Sequence, residues 1–501
     1  MKKTNDLRRA QLSQKLIPEG LFAVIVALAI VVNVILYILT TAFNLYLYSP
    51  YKDDLSISGN TDELFREAIE EGRRVKISFC QDEKSLSEHT TGGYVYTTAL
   101  EFQKRYPEFI ELEYINILTR RNSKGELVDL SKYQKDMRGE EQRIFKSSVI
   151  FESGLNYKVL TDLYTQVGYA DFYTLDASGQ TTSYNGEEIM ASMISWVLND
   201  EHKTAYFTQY HGEIADIAFS NLLACAGYYV DVIDLKSQEV PSDAAMVVIS
   251  NPSTDFEKAF EGSKIRGEID RLETYLENGG NLFVALDPYV KELPTLEGFL
   301  RENGIGLRYT EDENGRPLRN MVKDIENAIT SDGFTLVTEY ADSPLAESIE
   351  KKVSAYDSGR VIIREACALE LYGNAKPLLI SSKTSSVEAG GKQVESEGGY
   401  CIGAYSEGEN GRVFVISSIY LAVSDSLVSN GYSNKEMVFA LFENLYGAKD
   451  MPYGCKIVSY QLDTLENLTI GAAIRYTVFI MSIPALIAVF GIIVKIRRKN
   501  K

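Results

Sequence analysis

Two long uncharged stretches near the chain ends set the limits on this fold. No charged residue occurs between Glu19 and Lys52, a run of 32 residues, and none in the 19 residues between Arg475 and Lys495. At about 1.5 Å of rise per residue, either run forms a helix able to cross roughly 30 Å of hydrocarbon. Both have basic outer flanks: Lys2, Lys3, Arg8, Arg9 and Lys15 on one side, Lys495, Arg497, Arg498, Lys499 and Lys501 on the other. Positive flanks mark cytoplasmic ends. The reading is therefore a two-pass plasma-membrane protein in contact with lipid, with both termini cytoplasmic. Its segments are a basic N-terminus (1–20), a transmembrane helix (21–48), an extracytoplasmic body, a second transmembrane helix (474–494) and a basic tail (495–501).

The formal charge is −19, yet the two terminal segments together carry +8, so the remainder carries −27. A body this acidic repels phosphate backbones, and nucleic acid is not an expected partner. The five cysteines (80, 225, 367, 401, 455) have neither CxxC nor ligand spacing. They outline no disulfide framework and no zinc site, and no other metal or cofactor is expected. No Gly-x-x-x-x-Gly-Lys-Ser/Thr occurs, so the chain is not itself an ATPase of that type.

Within the body, the stretch Thr204–Tyr289 alternates short apolar strands with amphipathic helices. Ile214, Ile217, Ala218, Leu222 and Cys225 share one helical face, ended by Gly227; Ile265, Ile269, Leu272 and Leu276 share another, ended by Gly279-Gly280. This alternation predicts an α/β fold with a parallel sheet covered on both faces. A smaller α/β unit over 52–180 precedes it, with strands at Arg74–Phe79, Ile110–Ile117 and Ser148–Glu152 and a helix at Tyr94–Arg105. The larger unit, 181–466, opens with a helix over Asn185–Asn199. Residues 309–375 are mixed and charged and read as an insertion or cap. Strands follow at Lys376–Ser381, Tyr400–Tyr405 and Arg412–Ser417, then a helix for which Asn434 is the expected N-cap.

Four segments, with the two-anchor layout, resemble the GldG-type auxiliary components of bacterial ABC transporters, a family typified by a gliding-motility protein. They are Asn185-Gly-Glu-Glu, Thr204–Glu213 ending in His-Gly-Glu, Gly279–Pro288, and Gly411–Ser417 with the Asn434 helix. The resemblance implies an extracytoplasmic, doubly wound, amidotransferase-like parallel sheet. It also implies an ABC-2 type permease and its cytoplasmic ATPase as partners, and transport without catalysis by this chain. Where the family commonly reads Gly-His-Gly-Glu, this chain has Tyr210 before His211.

In an open parallel sheet, ligands meet the C-terminal strand ends. The candidates for binding a ligand or partner are His211, Glu213, Asn251, Asp287 and Tyr289. For His211 and Glu213 the local alternative is a loop hydrogen bond and an acid complementing a helix dipole; for Asp287-Pro288 it is a turn. No catalytic residue is proposed, because Ser250 has no Gly-x-Ser-x-Gly frame and no cysteine sits on a strand-to-helix elbow. The competing functions are an extracytoplasmic hydrolase on an amidotransferase-like sheet, and a surface receptor for a sugar or peptide. Trp196, the one tryptophan, is the candidate stacking platform for a sugar.

Overall fold

The computed structural model describes residues 55–459 except 164–171, 176–180, 261, 264, 357–358, 409–410 and 428–431. Both apolar runs and both basic termini lie outside the described residues. Among the described residues no helix is long and apolar enough to cross a membrane.

The fold is mixed α/β and contains two principal sheets. The first has five strands: β1 (Val75–Phe79), β2 (Ile110–Asn116), β3 (Arg121–Asn122), β4 (Val149–Ser153) and β5 (Asn156–Leu160), in the order β3-β2-β1-β4-β5. Only β1 and β2 pair in parallel. Helices α1 (Thr61–Glu70) and α2 (Gly92–Arg105) belong to this part of the chain. Phe65, Phe102, Tyr106 and Phe109 form an aromatic cluster between them and the start of β2.

The second sheet has nine strands: β6 (Thr204–Thr208), β7 (Tyr229–Ile233), β8 (Ala244–Ser250), β9 (Asn281–Ala285), β10 (Thr335–Tyr340), β11 (Val361–Arg364), β12 (Lys376–Ile380), β13 (Cys401–Glu407) and β14 (Arg412–Ile416). Their order is β11-β10-β12-β13-β14-β9-β8-β6-β7. The five strands from β14 to β7 run parallel, and the other four join antiparallel. The sheet is thus parallel in one half only. The charged stretch after 309 is more than a cap, because β10 and β11 form one end of this sheet.

Side-chain alternation shows how both faces of the parallel half are buried. Val247, Ile249, Leu282, Val284, Val413 and Val415 share a core with helices α5 (Glu268–Glu277) and α6 (Pro294–Glu302). The intervening Phe283 and Phe414 pack on the opposite face, where Phe219 of α4 (Ile217–Cys225) lies between Phe207, Phe283 and Phe442. A strand covered on both faces has to be apolar at every position, which is why β8 reads as an unbroken apolar run.

Helix starts differ from the apolar periodicity. The α4 helix begins only at Ile217, capped by Asp216, whose carboxylate accepts from the amides of Ala218 and Phe219; Ile214 and Ile217 are exposed. The α5 helix begins at Glu268, after Gly267, and Ile265 is exposed. Helix α7 (Pro344–Val353) packs on helix α8 (Asn434–Tyr446), whose N-cap is Ser433, not Asn434. The Asn434 amide instead bonds both backbone groups of Ile362 in β11, which fixes this helix to the sheet.

Helix α3 (Gly186–Leu198) joins the two sheets. It is buried nearly all round, as a helix apolar on every side must be, and it packs on β4 and β5 on one side and on α4 on the other. A Cβ at Gly186 would lie 2.0 Å from the Tyr184 hydroxyl, so only glycine lets Tyr184 fold back over the helix start. The next two residues are buried acids. Glu187 Oε1 accepts from Ser58 N at 2.9 Å and Ser58 Oγ at 2.5 Å, and Oε2 accepts from Lys456 N at 3.1 Å. Asn60 Nδ2 also donates to Gly454 O at 2.8 Å, and Val458 and Ser459 pair with the strand Thr181–Tyr184. The two ends of the described body therefore meet at one carboxylate. Glu188 in turn forms a buried ion pair with Lys435 of α8.

Replacing Glu187 with alanine leaves three donors without their acceptor, at about 1–3 kcal/mol for each one that stays buried. The Glu187→Ala chain is expected to unfold at clearly lower denaturant and to be cut faster by protease near residues 55–60 and 454–459. Glu187→Gln, which keeps one acceptor oxygen, should fall between. An unfolding midpoint and cleavage rate equal to wild type would show that the junction adds no stability.

Candidate functional site

The C-terminal ends of β6, β8, β9 and β14 lie side by side and place four loops along one edge of the sheet. After β6 the chain turns sharply. Tyr210 has φ +79° and Gly212 φ +81°. A positive φ is costly for an aromatic residue, and Tyr210 is 68% exposed. A Cβ at Gly212 would lie 2.1 Å from Ser253 Oγ, so this position too requires glycine. The loop is fastened to the one after β8: Ser253 N and Thr254 N donate to His211 O, and Ile214 N donates to Ser250 O.

This turn drives His211 inward, where it is 1% exposed. Its Nδ1 lies 2.8 Å from Glu213 Oε1, and its Nε2 lies 3.0 and 3.1 Å from the two oxygens of Glu268. The other Glu213 oxygen accepts from His211 N at 2.6 Å, and Glu268 Oε2 accepts from Glu257 N at 2.8 Å. Phe256 stacks on the ring at 3.9 Å. Burial alone lowers a histidine pKa, but the hydrogen bonds the ring donates to Glu213 and Glu268, with the charges of both, outweigh this and raise His211 to about 9. Burial likewise works to raise Glu213, yet bonds from His211 and the backbone hold it below the usual carboxylate range. The group is an imidazolium between two carboxylates. Both nitrogens donate, so the ring has no lone pair to offer as a base. Physically it is a strut joining the β6 loop to the start of α5.

The expected dipole role of Glu213 is corrected by this geometry. Four residues separate His211-Gly212 from the first turn of α4, and Asp216 caps that helix. The remaining candidates stand apart from the strut. Asn251 has φ +56°, and its amide bonds Ala285 O of β9. Its Oδ1 and the Ser250 Oγ are buried without hydrogen-bond partners. Asp287 accepts from Tyr289 N at 2.8 Å and gives its carbonyl to Arg319 at 2.5 Å, which is the turn reading. Tyr289 is exposed; partial burial and the charges of Glu365 and Asp287 raise its phenol. The structure thus brings His211 and Glu213 together and sets Asn251, Asp287 and Tyr289 along the neighbouring loops.

Two groups escaped the sequence, and one expectation is corrected. Glu268 completes the strut from 57 residues away. Glu187 and Glu188 hold the chain ends and α8; their signal was two adjacent acids opening an otherwise apolar helix. Trp196 is 1% exposed and is not a surface platform.

No protein-family model matches the chain, and no curated protein matches it. Solved structures similar to part of it include an IFT52 N-terminal domain, at 15% identity over 48% of this chain and 96% of that one, with a TM-score of 0.35. A cytoplasmic protein of Salmonella typhimurium matches at 10% identity over 48% and 98%, with a TM-score of 0.30. PurLQS of Thermotoga maritima matches at 11% identity over 48% and 98%, with a TM-score of 0.28. Likeness at this level carries no argument about function.

The strut makes stability depend on pH in a defined direction. Its histidine rises from 6.5 to about 9 on folding, so its contribution is complete below about pH 6.5 and is lost as pH passes 9. Between about pH 7 and 9.5 the wild type should lose roughly 2–3 kcal/mol more than His211→Gln. Denaturant unfolding of both chains across that range measures the difference; parallel profiles would contradict a charged His211.

Proposed function

We propose that this chain is a non-catalytic, membrane-anchored auxiliary subunit of an ABC-2 type transport system, of the GldG type. Its acidic α/β body, an amidotransferase-like wound sheet with a smaller unit before it, stands outside the membrane and braces the permease or holds cargo against it. The observation that carries the reading is the junction at Glu187. Ser58 and Lys456 bond the same carboxylate, and along the sequence the uncharged runs end 7 residues before Ser58 and begin 20 residues after Lys456. Body ends that meet at one carboxylate suit a paired membrane anchor. One apolar helix is enough to tether a domain; two limit how far the body can move from the membrane.

The chemistry of the side chains supports a role without catalysis. His211 is held as an imidazolium, and burial lowers His202 to about 4, where it is stacked on Trp196. Burial pushes the thiols of Cys80, Cys225 and Cys401 up to about 12 and that of Cys367 to about 11, while Cys455 rises further still. A thiol so shifted supplies almost no thiolate nucleophile near neutral pH. The exposed edge bearing Tyr210, Asn251, Asp287 and Tyr289 is the surface assigned to cargo or to the other subunits.

Purification from its own membranes in a mild detergent is expected to recover a permease and a cytoplasmic ATPase with the chain, identified by mass spectrometry. Replacing both apolar runs by poly-leucine of equal length should reduce that recovery if the helices make the contact. Recovery of the chain alone with its native runs would remove the transporter reading.

A further inference from the structure

A cavity of about 210 Å³ lies where β5 of the first sheet meets α3 and β7. Its walls include Arg138, Tyr157, Lys158, Trp196, Tyr228 and Tyr229. The Lys158 ammonium lies 4.8 Å from the Trp196 ring and 5.0 Å from that of Tyr229. Among the described residues, no carboxylate lies within ion-pairing distance of it. The neighbouring Arg138 is already satisfied, with Asp136, Glu140 and Asp231 at 2.9–3.4 Å and its plane over Tyr229. Burial lowers the Lys158 pKa to about 8, so the group remains largely charged at neutral pH.

Two further donors in this wall are unused. Trp196 Nε1 and the Tyr229 hydroxyl are both buried and have no hydrogen-bond partner. A buried donor left unmade is destabilising, and native proteins rarely keep two beside an unpaired cation. Positive charge, free N–H and O–H groups and aromatic walls converge on the same space. A cavity near 150 Å³ holds one benzene ring, so this one has room for a ring-sized body with a small charged group.

We propose that this cavity is a binding site for a small organic carboxylate with one ring-sized apolar portion. Its carboxylate pairs with Lys158 and accepts from both Trp196 Nε1 and the Tyr229 hydroxyl, while the apolar portion lies among Tyr157, Tyr228 and the aromatic walls. The proposal is independent of the transporter reading, since the site lies within the body and uses neither apolar run.

The protein carries its own reporter, because Trp196 is the only tryptophan in the sequence. The detergent-solubilised full chain is titrated with benzoate, and with benzamide as the uncharged isostere, while tryptophan emission is followed. Benzoate should give a saturable change in the millimolar range or tighter, and benzamide should bind at least roughly tenfold more weakly. Lys158→Met, which keeps the apolar stem, should weaken benzoate by a similar factor. Tyr229→Phe, which removes one hydroxyl and leaves the packing, should weaken it several-fold and serves if the lysine variant is poorly folded. No saturable change at tens of millimolar benzoate, equal affinity for benzamide, or unchanged affinity in a folded Lys158→Met or in Tyr229→Phe would overturn the proposal.

Discussion

The body depends on two adjacent carboxylates in the first turn of one buried helix. Glu187 binds the beginning and the end of the described chain, residues separated from it by 129 and 269 positions. Glu188 binds Lys435, and through it the helix that backs the antiparallel end of the large sheet. Both acids sit where a helix N-terminus favours negative charge, yet both are buried, and burial raises Glu187. Taking a carboxylate out of water is tolerable only when its lone pairs are filled. Here backbone amides, a hydroxyl and an ammonium fill them, so the helix, both chain ends and α8 hold one another in place. Breaking one side of a buried pair such as Glu188–Lys435 costs about 3–5 kcal/mol.

A second buried charge cluster acts at the C-terminal strand ends. The His211 strut holds the β6 loop against α5 through donors and acceptors that are nearly all matched. With that loop fixed, Tyr210 is held in a left-handed conformation with its ring in solvent. Strain in an exposed aromatic persists only where its surroundings impose it. The edge therefore presents Tyr210 on a backbone fixed by its surroundings.

Much of the fold was legible in the sequence, for a simple reason. Strands buried on both faces, such as β8, β9 and β14, are apolar at every inner position, and β14 ends within a residue of its expected bounds. Helix starts were read less well, because Ile214 and Ile265 continue the apolar spacing ahead of the residues at which the helices begin. Short-range polar geometry at Asp216 and Gly267 overrides the periodicity there. Strands β10 and β11 were hidden in a charged stretch because, at the end of a sheet, alternate side chains face water. The candidate site was legible only in part. His211 and Glu213 are two residues apart, so their association is local. Glu268, Lys158 and the chain-end partners of Glu187 come together only through the tertiary fold, which no spacing rule detects.

The central claim is that both ends of an acidic body are held at one membrane face, with the body outside. Ser123 lies in an exposed loop next to β3, while four of the five native cysteines are buried, so Ser123→Cys provides a distinct site for labelling. Intact cells are treated with a membrane-impermeant maleimide, with the wild-type chain as background. The account predicts rapid labelling of the Ser123→Cys chain before lysis. Labelling that requires lysis would place the body in the cytoplasm and contradict it.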